Sequence, residues 1–159
     1  MAIAIGGKVL VGLGQWYCST ERGQILVVRS VGTTAVAAVW GAGSCVCGVL
    51  HWMLPDSRLD SHRARRSPGL FADTGLRCLL AELESLGARR ESLRAVVAGC
   101  ASMMETGEFD VGGRNRAAAR QLLARAGIPI EKEETGGVLI RNLELIIGGG
   151  AVQISAQGA

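Results

Sequence analysis

The sequence lacks several features that mark specialised classes of protein. Its formal net charge is only +3, too small to indicate a nucleic-acid-binding surface. Its five cysteines are an odd number and form no C-x-x-C pair, so a disulfide framework is not expected and a reducing compartment is favoured. Residues 1–14 are apolar but carry no basic segment ahead of the apolar stretch, so they do not resemble a signal peptide. These absences predict a cytoplasmic protein that does not bind nucleic acid.

The composition that remains is typical of a globular protein. The chain has 159 residues, of which 48% are hydrophobic and 19% are charged. A chain of this length can bury a hydrophobic core, and this balance excludes a disordered chain. We therefore expect one domain over residues 1–159.

A run of twenty-six residues without a charge lies between Arg29 and Asp56. This length could cross a bilayer as one helix. However, Gly41 and Gly43 interrupt the run at its midpoint, and both arms are strand-sized and rich in β-branched residues. The pattern favours two buried antiparallel strands, with a membrane helix as the weaker alternative. We expect no membrane insertion.

The predicted hairpin brings a hydroxyl group and an imidazole together. If the turn centres on Ala42-Gly43, residues that face each other have numbers that sum to 85, so Thr34 faces His51. Their Cβ atoms would then lie about 5 Å apart. Such a pair could serve as nucleophile and general base. A core histidine satisfied by a threonine hydroxyl is the alternative, and spacing alone favours it.

A zinc site on the second arm is not expected. Cys45, Cys47 and His51 share one face of the strand, but a structural zinc ion needs four ligands. In an extended strand Cys45 and His51 would also lie roughly 20 Å apart. The sequence predicts no metal and no organic cofactor.

The sequence predicts two main helices among the strands. Apolar residues repeat at helical spacing in residues 71–86, before Gly87. Residues 115–126 are predicted to form the second helix, which ends at Gly127 with Pro129 just beyond. Strands are predicted at residues 24–29, at 93–98 and within 131–154. Residues 56–69 are predicted to form a polar loop whose arginines are solvated or, as a weaker alternative, dock an acidic partner. The predicted fold is α+β, with layered β-sheets flanked by the two helices.

The segment Gly112-Gly113-Arg114-Asn115 opens the second predicted helix. It lacks the spacing of a nucleotide-binding loop. Arg114 and Asn115 could contact a substrate, but a helix-capping role is favoured at least as strongly.

Six short motifs lie along nearly the whole chain. They are Val11-Gly12-Leu13-Gly14, His51-Trp52-Met53-Leu54-Pro55-Asp56-Ser57, Phe71-Ala72-Asp73-Thr74, Ala98-Gly99-Cys100-Ala101-Ser102-Met103, Val111-Gly112-Gly113-Arg114-Asn115, and Thr135-Gly136-Gly137 followed by Arg141. Each motif is weak alone, but six in order are specific. In this order they resemble the motifs of the CheD family, the chemoreceptor glutamine deamidases of bacterial chemotaxis.

The resemblance implies a fold like the cysteine-hydrolase-like sandwich of the CheD family. It implies hydrolysis of glutamine side chains of chemoreceptors to glutamate, through attack by a cysteine thiolate and proton transfer by a histidine. The implied partners are the cytoplasmic domain of a chemoreceptor and a phosphatase that resembles CheC. No cofactor is implied.

Two alignments of the nucleophile motif G-S-C compete. Gly43-Ser44-Cys45 spells the motif, but only six residues separate Cys45 from His51. The other alignment keeps the family's spacing to the histidine, and it places Thr34 in the nucleophile position. This second alignment is preferred because the predicted hairpin also brings Thr34 and His51 together.

The preferred alignment departs from the family at three positions. Thr34 stands where the family has its cysteine, Val28 stands where it has a threonine, and Cys100 stands where glycine is usual. A hydroxyl needs full activation by a general base, whereas a thiol is partly ionised at neutral pH. The sequence therefore leaves two functions open. One is a working deamidase with His51 and either Thr34 or Cys45, and the other is a catalytically silent module that binds receptors or the CheC-like phosphatase.

Overall fold

The computed structural model describes residues 2–102 and 110–157 of the chain. Met103, the last residue of one family-like motif, lies outside the described residues. Within them, ten strands and three α-helices form three layers, so the predicted α+β class is confirmed. The strands are β1 (Ile3–Ile5), β2 (Lys8–Leu10), β3 (Trp16–Ser19), β4 (Ile25–Val31), β5 (Ala35–Gly41), β6 (Cys47–Trp52), β7 (Leu93–Gly99), β8 (Ile130–Thr135), β9 (Arg141–Ile146) and β10 (Ala151–Ala156).

The strands form two five-stranded sheets. The outer sheet has the order β1-β2-β4-β9-β10, and the central sheet has the order β3-β6-β5-β7-β8. The pairs β2–β4 and β7–β8 are parallel, and the other neighbouring strands are antiparallel. The helices α1 (Ser61–Arg66), α2 (Ala72–Ser85) and α3 (Val111–Arg125) make the third layer.

The central sheet is buried on both faces, which explains the uncharged run in the sequence. Alternate residues of β5 enter different cores: Ala35, Ala37 and Val39 pack with the helices, and Val36 and Ala38 pack with the outer sheet. All five have no exposed surface. A strand covered on both sides needs a continuous apolar sequence, since neither set of side chains reaches water.

The predicted antiparallel hairpin is confirmed, but its predicted register is wrong. His51 pairs with Val36, so facing residues sum to 87, and Thr34 is not opposite His51. The five residues 42–46 connect the strands, closed by a hydrogen bond from the amide of Gly41 to the carbonyl of Val46. This longer loop shifts the register by two residues. Because strand residues alternate between faces, a shift of two keeps Thr34 and His51 on one face.

The helix predictions are largely confirmed. The first predicted helix is α2, and Gly87 follows it with a φ of 101°. The second, α3, begins four residues earlier than predicted because Asp110 caps it, accepting a hydrogen bond from the amide of Gly113. The prediction that residues 56–69 form only a loop is wrong, since this segment contains α1, capped by Asp60.

The lengths of the helices bear on the alternative of a membrane helix. Within residues 2–102 and 110–157, no helix is long and apolar enough to cross a membrane.

Candidate active site

The side chains of Thr34 and His51 meet at one end of the central sheet. The hydroxyl Oγ1 of Thr34 lies 2.8 Å from Nε2 of His51, which is hydrogen-bonding distance. Thr34 immediately precedes β5, and His51 lies in β6 beside it. His51 pairs with Val36, so Thr34, one residue before β5, is its diagonal neighbour, a relation within reach of a long side chain. The contact predicted from the sequence therefore exists, although it arises from a different register.

The segment that carries Thr34 is held by a hydrogen bond to each of three successive carbonyl groups. The carbonyl of Gly32 accepts from the amide of Ala101 at 2.8 Å, and that of Thr34 accepts from the amide of Cys100, also at 2.8 Å. The carbonyl of Thr33 accepts from Asn115 at 3.0 Å. These bonds fix the segment although it belongs to no strand.

Gly99, at the end of β7, allows this close approach. A Cβ atom at this position would lie 2.3 Å from Cγ1 of Val31 and 2.6 Å from the carbonyl oxygen of Thr34. Its φ of 98° also lies in the region that favours glycine. A larger residue here would displace the Thr34 segment.

Asn115 connects the two halves of the site. Its side chain is fully buried, and Nδ2 donates to the carbonyls of Thr33 and Met53 at 3.0 and 2.9 Å. Its Oδ1 accepts a hydrogen bond from the indole of Trp52 at 3.2 Å. One amide thus joins the residue before Thr34 to the two residues after His51. This geometry favours a positioning role for Asn115 over direct contact with a substrate.

Burial keeps the imidazole of His51 neutral. The residue is 6% exposed, and desolvation lowers its pKa from 6.5 to about 4. A neutral ring can accept a proton, as a general base must. Among the described residues, Nδ1 of His51 is buried without a hydrogen-bond partner. The ring is therefore oriented by Thr34 and by packing.

Cys45, the alternative nucleophile, lies elsewhere. It belongs to the loop between β5 and β6 and lines a cavity of about 340 Å³ with Arg22, Trp40 and residues 148–150. It precedes His51 by six residues, four of them along β6, and an extended chain of that length spans roughly 20 Å. Cys47 is buried between the sheets, where desolvation raises its pKa.

No group of three potential metal ligands occurs in residues 2–102 and 110–157.

Arg114 lines a different surface from the Thr34–His51 pair. Its side chain is exposed in a groove of about 750 Å³ between α3 and the segment after Pro55. Asp110, rather than Arg114 or Asn115, caps α3. Contact of Arg114 with a substrate therefore stays a prediction.

Comparison with known proteins identifies the family of the chain. Residues 53–156 match the family described as CheD chemotactic sensory transduction. The match covers more than half of the chain. The chain belongs to the CheD family.

Relatives within the CheD family align over nearly the whole chain. The chain is 37% identical to a probable chemoreceptor glutamine deamidase CheD 1 of Syntrophus aciditrophicus, over 96% of each chain. It is 32% identical to the chemoreceptor glutamine deamidase CheD of Thermotoga maritima, over 95% of this chain and 93% of that one. The similarity to these relatives is therefore not confined to the short motifs but extends along nearly the whole chain.

The fold is also similar to that of a solved structure. The hypothetical protein YfiH of Bacillus licheniformis matches with a TM-score of 0.50 and 14% identity. The match covers 76% of this chain and 49% of that protein. At this identity the likeness concerns the fold alone.

The three hydrogen bonds of Asn115 are the main feature of this candidate site that sequence reasoning missed. The buried residues of α3 are Gly112, Asn115, Ala119 and Leu123, which recur at helical spacing. A polar residue on that buried stripe needs internal hydrogen-bond partners. This pattern was the available signal that Asn115 faces the core.

Proposed function

We propose that this CheD-family chain hydrolyses the side-chain amide of glutamine residues in chemoreceptors, with Thr34 as nucleophile and His51 as general base. The observation that carries the proposal is the 2.8 Å contact between Oγ1 of Thr34 and Nε2 of His51. This is the distance expected between a nucleophile and the base that activates it. The substrate class is taken from the printed names of the relatives.

The proposed reaction proceeds through an ester. Oγ1 of Thr34 attacks the amide carbon, while its proton moves to Nε2 of His51. His51 then gives this proton to the amide nitrogen, the carbon–nitrogen bond breaks, and ammonia leaves. A water molecule, deprotonated by His51, attacks the ester carbon. His51 then gives this proton to Oγ1 of Thr34 as the ester bond breaks, which leaves a glutamate side chain on the receptor and restores the Thr34 hydroxyl. No metal or redox step is involved.

Two properties of the site support this chemistry. The lowered pKa of His51 leaves Nε2 free to accept a proton at neutral pH. Thr34 is half-buried and Thr33 is exposed, whereas His51 is 6% exposed, so Thr34 lies nearer to the protein surface than His51 does. In the proposed reaction the substrate side chain reaches Oγ1 from this side, while His51 stays desolvated.

We also propose binding partners and a cellular location for this chain. The partners would be the cytoplasmic domain of a chemoreceptor and, by resemblance to the family, a CheC-like phosphatase. We propose a cytoplasmic location, which is supported by the state of the cysteines: all five are free.

The proposal is tested by measuring ammonia release from a purified cytoplasmic fragment of a chemoreceptor. We expect release by the wild-type chain, loss of at least about 100-fold in Thr34→Ala and His51→Gln, and retention in Thr34→Ser, which keeps the hydroxyl. Cys45→Ala is the matched control and should retain full activity.

The outcomes separate the alternatives. Loss of activity in Cys45→Ala, with retention in Thr34→Ala, would overturn the hydroxyl mechanism in favour of a thiol. Binding of the fragment without any ammonia release would instead support a catalytically silent receptor-binding module.

A further inference from the structure

An exposed apolar segment lies between β8 and β9. Val138, Leu139 and Ile140 are 64%, 46% and 37% exposed, in a chain whose other large apolar residues are mostly buried. Contiguous exposed apolar residues commonly mark a surface that binds a partner.

The backbone of this segment is held in place from several sides. The carbonyl of Gly137 accepts from the amide of Ser102, and that of Ile140 accepts from the amide of Gln157. The guanidinium of Arg141 donates to the carbonyls of Gly136 and Leu139 at 3.0 and 3.4 Å. The exposed side chains thus project from a preformed backbone, which lowers the entropy cost of binding.

This segment lies at the same end of the central sheet as the Thr34–His51 pair. Ala35 pairs with Gly99, and Gly99 pairs with Thr135, the last residue of β8. Thr135 is therefore two strand spacings, or roughly 10 Å, from the residue after Thr34. The segment begins immediately beyond Thr135, so a molecule bound at Thr34 can extend onto it.

Positive charge accompanies the apolar side chains. A Cβ atom at Gly136 would lie 3.1 Å from Nη1 of Arg116, so this guanidinium lies against the start of the segment. Arg141 pairs across the outer sheet with Val31, three residues before Thr34. Within residues 2–102 and 110–157, neither arginine forms an ion pair with a carboxylate. Their charge is available to an acidic partner.

We propose that Arg116, Val138, Leu139 and Ile140 form a recognition rim that binds the receptor segment flanking the target glutamine. The rim selects a segment that carries a carboxylate for Arg116 and an apolar side chain for Val138 and Leu139. The inference rests on the proposed function, because it takes the bound segment to be the one that presents a glutamine to Thr34.

The test compares surface variants for binding and for turnover of the cytoplasmic receptor fragment. Val138→Ser/Leu139→Ser and Arg116→Gln should each weaken binding about tenfold and raise KM equally. Their kcat should stay unchanged, because neither variant alters Thr34 or His51. Arg116→Gln should also reduce the dependence of binding on ionic strength.

Two matched controls lie away from the rim. Ile5→Ser removes an apolar residue of β1 that is 66% exposed, and Arg66→Gln removes an exposed charge of α1. Neither should change the affinity. Unchanged affinity in both rim variants, weakening by Arg66→Gln alone, or no binding of the fragment by the wild-type chain would overturn the inference.

The two proposals can fail separately. If the wild-type chain binds the fragment but releases no ammonia, while the rim variants weaken binding, the proposed function fails and the rim stands only as a receptor-binding surface. If ammonia is released at the wild-type KM by both rim variants, the rim fails and the proposed function stands.

Discussion

Acidification should destabilise the protein through His51. The pKa of this histidine is lowered to about 4 in the folded chain, because burial disfavours the charged ring. The unfolded chain has the ordinary value of 6.5, so between the two values it binds more protons than the folded chain does. The stabilising contribution is therefore fully present above about pH 6.5, and it is lost as the pH falls towards 4.

The size of this effect follows from the two pKa values. A difference of 6.5 − 4 = 2.5 units corresponds to about 3 kcal/mol of unfolding free energy once the pH is below both values. Between pH 7 and pH 5 the loss is about 2 kcal/mol. With a urea dependence of about 2 kcal/mol per molar, this moves the unfolding midpoint by about 1 M.

Urea unfolding of the wild-type chain and of His51→Gln, at pH 7 and pH 5, measures the effect directly. Every other titrating group is present in both proteins, so its contribution cancels in the comparison. The wild-type chain should lose about 2 kcal/mol more than the variant does. Equal losses in the two proteins would refute the reasoning, since they would mean that His51 titrates alike in the folded and unfolded chains.

Three substitutions test how the site is held together. Asn115→Ala leaves two carbonyls and an indole unpaired, so it should lower the unfolding free energy, measured in urea, by about 3 kcal/mol. The same variant should release ammonia more slowly, and an unaltered rate would exclude the positioning role. Gly112→Ala places a Cβ atom 2.1 Å from the carbonyl oxygen of Ala101 and should destabilise the fold by about 1–3 kcal/mol, measured in the same way. Val28→Thr places a hydroxyl where the alignment with Thr34 as nucleophile expects a threonine, in the layer between the sheets that contains Val36, the strand partner of His51. We expect faster ammonia release, and a slower rate would contradict an orienting hydroxyl there.

The sequence predicted the parts of the fold that depend on local pattern. Helix α2 was located by its apolar periodicity and by Gly87, and the buried hairpin was located by its glycines and its lack of charge. The hairpin register could not be obtained in this way, because it depends on how many loop residues the turn contains. Helix α1 was missed because its sequence, Ser61–Arg66, is charged and has one buried residue, Ala64.

The candidate site was predicted only in part. The contact between Thr34 and His51 was predicted from family resemblance and from the hairpin. The predicted register was wrong by two residues, but a shift of two residues leaves both side chains on the same face of the sheet. The three bonds of Asn115 could not be predicted, because they join positions 62, 63 and 82 residues away along the chain. Such contacts depend on the packing of α3 against the sheet.

The identity of the nucleophile is the central claim, and covalent labelling tests it most directly. The chain would be treated with a peptide in which a reactive ketone replaces the side-chain amide of glutamine, and the modified residue would be located by mass spectrometry. The adduct is predicted on Thr34, and it should be absent in His51→Gln and unaffected by Cys45→Ala. An adduct on Cys45 in the wild-type chain, with Thr34 unmodified, would contradict the account.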